Sequence, residues 1–295
     1  MAEITRKRQG ELVRAVFGVL RDKPDGLPAS QVLKMVEGRV PPTPFEQSTY
    51  PSQPNVRRYE KIIRFSTINA VKAGWLVKNK GQWSLTNDGR AAYAAFADPE
   101  ALMRESIKLY RAWKQEQPEP VEAVEEIEQD EAASTFEEAE ESAWAEIRAY
   151  LGQMPPYDFQ NLVATLLKAM GYHVDWVAPP GPDRGIDMIA YTDPLGTTNP
   201  RIKVQVKRQP GTKISVEGLR SFMAVLGDQD VGIFISAGGF TSDAEREARS
   251  QEKRRLTLVD LDRLVGLWVE HAKHLDDADR QRLPLKPIYF LTPNE

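Results

Sequence analysis

The chain contains no cysteine. Disulfides, thiolate nucleophiles and cysteine-ligated zinc are therefore excluded, and thiols say nothing of the redox compartment. No apolar run reaches the roughly 20 residues of a membrane-spanning helix. The first residues, "MAEITRKRQGELVRAV", turn amphipathic at once, without the apolar core of a signal peptide. A cytoplasmic protein with no membrane partner is expected. No Walker-type phosphate loop is present, so ATP is not an expected ligand. Lysine and arginine are missing from residues 115–147, a stretch with 13 acidic residues. The net charge of -4 conceals this unevenness: the rest of the chain carries 39 basic against 30 acidic residues. Two mildly basic parts joined by an acidic segment fit a nucleic-acid binder.

The 295 residues suggest two domains, and 41% hydrophobic content is enough for real cores. Residues 8–21 place Leu12, Val16, Val19 and Leu20 at helical spacing. "PASQVLKMVEG" reads as a second helix, with Ser30 as N-cap and Gly38 past its end. After a proline-rich loop, residues 56–76 form an expected third helix with Ile62, Phe65, Ile68 and Val71 on one stripe, stopped by Gly74. Residues 75–78 and 82–86 are short strands around "NKG", a hairpin signal. Three helices followed by a hairpin make a winged helix-turn-helix over residues 1–114. In that fold the third helix enters the major groove of double-stranded DNA. Arg57, Arg58, Lys61 and Arg64 on the helix, with Lys78 and Lys80 on the wing, are the candidate DNA contacts. A protein-binding winged helix, or charges that only solvate a helix face, is the plainer alternative. Tyr59 either stacks on DNA or packs; Trp75 and Trp83 are expected in the core.

"ALMRESIKLYRAWKQEQ" reads as one more helix. Residues 115–134 then have few apolar residues and strong like-charge repulsion, as in a solvated linker. Order is expected to resume near Thr135 and Glu138, which have the spacing of a capping box. A second reading lays the acidic run in the DNA groove as an autoinhibitory mimic, to be tested by deleting 116–131.

Residues 135–295 form the expected second domain. A helix carrying Phe159, Leu162, Val163, Leu166 and Leu167 leads into strands near 172–177, 186–191 and 201–208. Strand and helix then alternate, as in an α/β sheet with helices on both faces. Along the second of these strands Asp187, Ile189 and Tyr191 share a face. In "RIKVQVKR", Lys203, Gln205 and Lys207 share another. If the two strands pair, Asp187, Gln205 and Lys207 cluster. A carboxylate and a neutral oxygen suit Mg²⁺, or Mn²⁺ in its place, and a neighbouring lysine can orient a water or offset developing charge. The plain alternative pairs Asp187 with Arg184 and leaves Gln205 and Lys207 as solvated sheet residues.

"GPDRGIDMIA" followed by "VQVKR" resembles the PD-(D/E)xK nuclease core, in the QxK variety of Mrr-like restriction endonucleases. "FQNLVATLLKAMGYHV", "GIFISAGGFTSDA" and "LTLVDLDRLVGL" are similar to the helix before that site, its central strand and its last strand and helix. The resemblance implies a metal-dependent endonuclease of a restriction system that cuts methylated DNA; two strands need two active sites or one used twice, so a homodimer or higher oligomer is expected. It makes Asp187 the metal-binding acid, Gln205 its partner, Lys207 the catalytic lysine and Asp183 an assisting metal ligand. The family's glutamate after the leading phenylalanine is here Gln160, an uncharged member of the catalytic set. Arg208 is a candidate phosphate contact, as is Lys213. His271 and His274 lie three apart with no third ligand in view, as on a solvated helix. The rival functional classes are a winged-helix regulator weakened in catalysis, and a nuclease for unmodified sites or repair intermediates.

Overall fold

The computed structural model describes residues 4–50, 53–115, 123–181, 185–251 and 254–289. It divides into two compact units, one within Met1–Glu146 and one over Ile147–Ile288.

The first unit opens with α1, Arg6–Leu20, started by Thr5, whose hydroxyl accepts from the Arg8 N–H. Its stripe of Leu12, Val16, Phe17 and Leu20 is fully buried. β1, Leu27–Pro28, leads into α2, Ala29–Arg39, which buries Val32, Leu33 and Val36. The proline-rich segment holds more order than its composition suggests. It forms α3, Pro44–Gln47, with a Thr43–Glu46 capping box, and an antiparallel pair, β2, Thr49–Tyr50, and β3, Gln53–Arg57.

The expected third helix differs in two ways. It starts only at Arg58, because residues before it pair as β3, and it is broken into α4, Arg58–Ser66, and α5, Ile68–Lys72. Thr67 sits at the break with its hydroxyl donating to the Ile63 and Arg64 carbonyls, a back-bond that bends helices. β4, Leu76–Asn79, and β5, Gln82–Leu85, pair antiparallel, and β1 joins the far side of β5. Their turn places Lys80 at φ 49° and Gly81 at φ 72°, the left-handed pair that a tight hairpin requires. α6, Asn87–Ala95, and α7, Pro99–Gln115, complete the packing, α7 lying on α1 and α5. Trp75 and Trp83 are core residues as expected; Tyr59 also packs inside, its hydroxyl donating to the Val40 carbonyl.

α8 runs Ala123–Gln153, and the division between the units falls within it. The expected linker is thus helical from residue 123, and its first part, 116–122, lies outside the described residues. Thr135 lies inside this helix, not at its start. Alanine and glutamate favour helix, and several of the glutamates that repel one another in sequence meet cations in the fold, as shown below.

The second unit begins with α9, Pro156–Ala169, followed by β6, His173–Val177, β7, Met188–Tyr191, and β8, Ile202–Lys207. α10, Val216–Ala224, β9, Val231–Ser236, α11, Ser242–Ser250, β10, Arg255–Asp260, α12, Leu261–His271, and the short α13, Asp277–Arg280, follow. The five strands form one sheet in the order β10-β9-β8-β7-β6, parallel through β10, β9 and β8 and antiparallel from β8 to β6. Phe234 of β9 packs edge-on against Phe222 of α10 and against Phe240, while α12 packs on α9 and on β9 and β10. A mixed sheet with flanking helices, the architecture expected, results.

At the start of β8, Lys203 is buried and its ammonium lies 2.8 Å from Asp230, which Arg201 also grips through two hydrogen bonds. Lys203 therefore anchors the β8–β9 connection, a role its sequence position did not disclose. No described helix is long and apolar enough to cross a membrane.

Candidate active site

β7 and β8 pair Met188 with Val204 and Ile189 with Lys203. Asp187 stands directly before this paired stretch, at the entry to β7. Asp187 is held there at two points: its N–H donates to the Val204 carbonyl at 2.8 Å, and its Oδ2 accepts from the Val206 N–H at 2.8 Å. Asp187 and Gln205 are both buried, and Lys207, two residues on, is exposed at the strand end. Gly185 precedes the acid with φ 81°, a left-handed conformation open to glycine. A Cβ there would stand 3.7 Å from the Gln205 amide nitrogen, so the loop passes close over the site. Asp183 and Arg184 lie outside the described residues.

Gln160 projects from α9 and is buried. Its Nε2 donates to the Ala178 carbonyl at 2.9 Å and reaches the Asp187 carbonyl at 3.5 Å. The amide ties together the two backbone stretches that flank the site. A carboxylate at this position could not donate either bond.

Ser236 is a neighbour that the sequence reading missed. The parallel ladder pairs Lys207 with Ser236, and in-register residues share a face. Its Oγ is buried without a hydrogen-bond partner. A polar residue closing the apolar run "VGIFIS" was the available signal. Arg208 is half-buried and donates to the Gly152 carbonyl. His271 and His274 stand with ring centroids 5.8 Å apart. Among the described residues no group of three His, Cys, Asp or Glu is gathered as a metal cluster.

The side-chain donors at this site are those of Asp187 and Gln205. A carboxylate and a side-chain amide are oxygen donors, with no nitrogen or sulfur ligand between them, which fits a hard cation.

Comparison with known proteins finds similarity to restriction enzymes. Residues 151–268 match the sequence model of the restriction endonuclease family Mrr_cat. The matched stretch is 118 of the 295 residues and lies within the C-terminal unit. The type IV methyl-directed restriction enzyme EcoKMrr of Escherichia coli (strain K12) is 32% identical over 164 residues, 54% of this chain and 52% of that relative. The chain thus spans about half the length of that curated relative. A solved structure of MspJI restriction endonuclease with a 27-mer oligonucleotide aligns over 68% of this chain and 47% of that chain, at 18% identity and a TM-score of 0.36. Asp187, Gln205, Lys207 and Gln160 all fall inside the Mrr-matched region.

Acids meet several of the candidate cations of the first unit, and Arg57 and Arg64 line one pocket with Glu37, Glu60 and Glu141. Arg57 pairs with Glu37 at 2.6 Å and with Glu60 at 3.5 Å. Arg58 donates to the Thr49 carbonyl and lies over the Phe45 ring. Arg64 is buried, with its guanidinium 2.6 Å from Glu137 and bonded to Glu141. Lys78 is also buried, 2.8 Å from Glu137. Burial pushes the Lys78 ammonium below its ordinary pKa, against the pull of Glu137. Burial likewise raises the Glu138 carboxyl, against Arg64 and Lys61.

Proposed function

We propose that the protein is a Mg²⁺-dependent DNA endonuclease of a restriction system that cuts methylated DNA, hydrolysing phosphodiester bonds. The observation that carries this reading is Asp187, fixed by the Val206 N–H of the strand that also carries Gln205 and Lys207, within the stretch that matches the restriction endonuclease model. Asp187 and Gln205, with Asp183, would hold Mg²⁺ or Mn²⁺. The ion supplies a polarised phosphate and a water of lowered pKa. Lys207 offsets charge as it develops on the phosphate and orients the attacking water. Gln160 fixes the backbone that carries Asp187, and Arg208 adds to the phosphate path.

The first unit is read as the DNA-recognition domain. The succession of α1, β1, α2, α4–α5 and the β4–β5 hairpin, interrupted by α3 and the β2–β3 pair, and the β1-β5-β4 sheet support a winged helix. α4 with Arg57, Arg58, Lys61 and Arg64 would enter the groove, and Lys78 and Lys80 on the hairpin would meet the backbone. Cutting both strands calls for a homodimer or higher assembly, working on cytoplasmic DNA without ATP.

A second reading, a DNA-binding regulator weakened in catalysis, is favoured by Gln160, which brings an amide where an acid would add charge. Mg²⁺-dependent digestion of matched plasmids, unmethylated or methylated by different methyltransferases, decides. Cleavage confined to methylated plasmid supports the restriction reading. Binding without cleavage of any plasmid supports the regulator, and equal cleavage of all removes the dependence on methylation.

A further inference from the structure

The first unit carries an anion-receiving surface, and α8 fills it. On that surface stand the N-terminus of α2, the Arg64 guanidinium of α4, and the β4–β5 hairpin with Lys78 and Lys80. Four glutamates on consecutive turns of α8 answer them. Glu137 lies between Arg64 at 2.6 Å and Lys78 at 2.8 Å, and also accepts from the Trp83 indole N–H at 3.1 Å. Glu138 stands 3.7 Å from Arg64. Glu140 accepts from the Lys80 backbone N–H at 3.0 Å, at the hairpin turn. Glu141 takes the Ser30 N–H at the start of α2, at 3.1 Å, together with Arg64.

Three features set this apart from ordinary helix packing. The donors are of the kinds that hold phosphate: a helix N-terminal N–H, a turn N–H, a guanidinium and an ammonium. Arg64 and Lys78 are 6% and 9% exposed, so the acids cover them rather than graze them. The fit is also close, since a Cβ on Gly81 would meet Glu141 atoms at 3.0–3.3 Å. A buried ion cluster of this sort adds little net stability over well-packed apolar residues, because both partners lose water. Its selection of phosphate-like geometry is therefore better explained by what else the surface binds.

We propose that this surface is a phosphate-binding face for duplex DNA, held closed in the free protein by the Glu137–Glu141 turns of α8, which stand in for the phosphates. This rests on the reading of the first unit as the DNA-recognition domain and supplies its regulation. DNA and α8 compete for Arg64, Lys78 and the two backbone N–H groups, so binding requires this part of α8 to leave. The contact lies at residues 137–141, just beyond the acidic run 116–131.

The test uses the full chain. The variant Glu137→Gln, Glu138→Gln, Glu140→Gln, Glu141→Gln is compared with the unaltered protein for binding to a fluorescent duplex at low salt, with thermal unfolding to establish that each is folded. At least a tenfold gain in affinity is expected. In a second measurement, Glu140→Cys gives the cysteine-free chain a single thiol, whose maleimide labelling should quicken several-fold when saturating duplex is added. If the duplex binds all forms equally and labelling is unchanged, the closed-face proposal is overturned while the recognition reading stands. If no form binds the duplex, the recognition reading fails and the proposal falls with it.

Discussion

The Val206 N–H donates to Asp187 Oδ2 at 2.8 Å, so an edge-of-site acid is locked to the strand that also carries Gln205 and Lys207. Asp187 cannot rotate toward solvent without giving up that bond. One side chain is thereby aimed by the backbone of the next strand, and the acid and the QxK residues are placed as a unit.

Asp187→Asn should therefore separate geometry from charge. The asparagine oxygen can still accept from Val206, so the fold is retained, but the charge is lost. Cleavage is expected to fall by about 10²–10⁴-fold. Lys207→Ala, at an exposed strand end, should lose cleavage comparably with unchanged melting. Duplex affinity should survive in both. Persistent cleavage in the two variants would remove these residues from the active site.

Gln160→Glu bears on the residue that departs from the family pattern. The carboxylate cannot donate to the Ala178 and Asp187 carbonyls and is buried facing them. A destabilisation of about 1–3 kcal/mol is expected, the cost of unsatisfied buried groups, with no gain in cleavage. Gln160→Met, which keeps the volume without a polar group, should be milder in stability. A more active Gln160→Glu enzyme would show instead that the position serves the reaction directly through its charge.

The alternation of "IKVQVK" and the acid at 187 were legible because strand periodicity is local. Helical spacing likewise disclosed α1, α2 and α9. Three features were not legible, because periodicity alone does not carry them. The break at Thr67 depends on a hydroxyl back-bond that competes with an otherwise good helical stripe. The helix through residues 123–134 was hidden because like charges repel in sequence, whereas Glu137 and Glu141 meet Arg64 and Lys78 only in the fold. Lys203 looked like a spare sheet residue because its partner, Asp230, lies across a helical crossover.

Salt dependence checks the cations on α4. Each phosphate contact adds about 0.9 to the slope of log affinity against log salt. Lys61→Ala in the full chain should reduce that slope by about 0.9 and weaken binding similarly for methylated and unmethylated duplexes. An unchanged slope would place recognition on another face.

The Asp230 cluster gives the second unit a pH-dependent stability. Burial opposes the Asp230 charge, but hydrogen bonds from Arg201, Lys203 and the Gly227 N–H prevail and hold its pKa down at about 2, against an ordinary 3.8. The folded state thus holds the proton less tightly than the unfolded state does. The stabilisation is fully present above the unfolded pKa and is lost as pH falls from about 4 through 2. Arg201 is 43% exposed, so solvent screening trims its share, and a contribution of about 1–2 kcal/mol is expected. Asp230→Asn should lower stability by that amount at neutral pH and flatten the acid limb of the melting curve between about pH 4 and 2. An acid limb as steep as that of the unaltered protein would assign the acid sensitivity to other carboxylates.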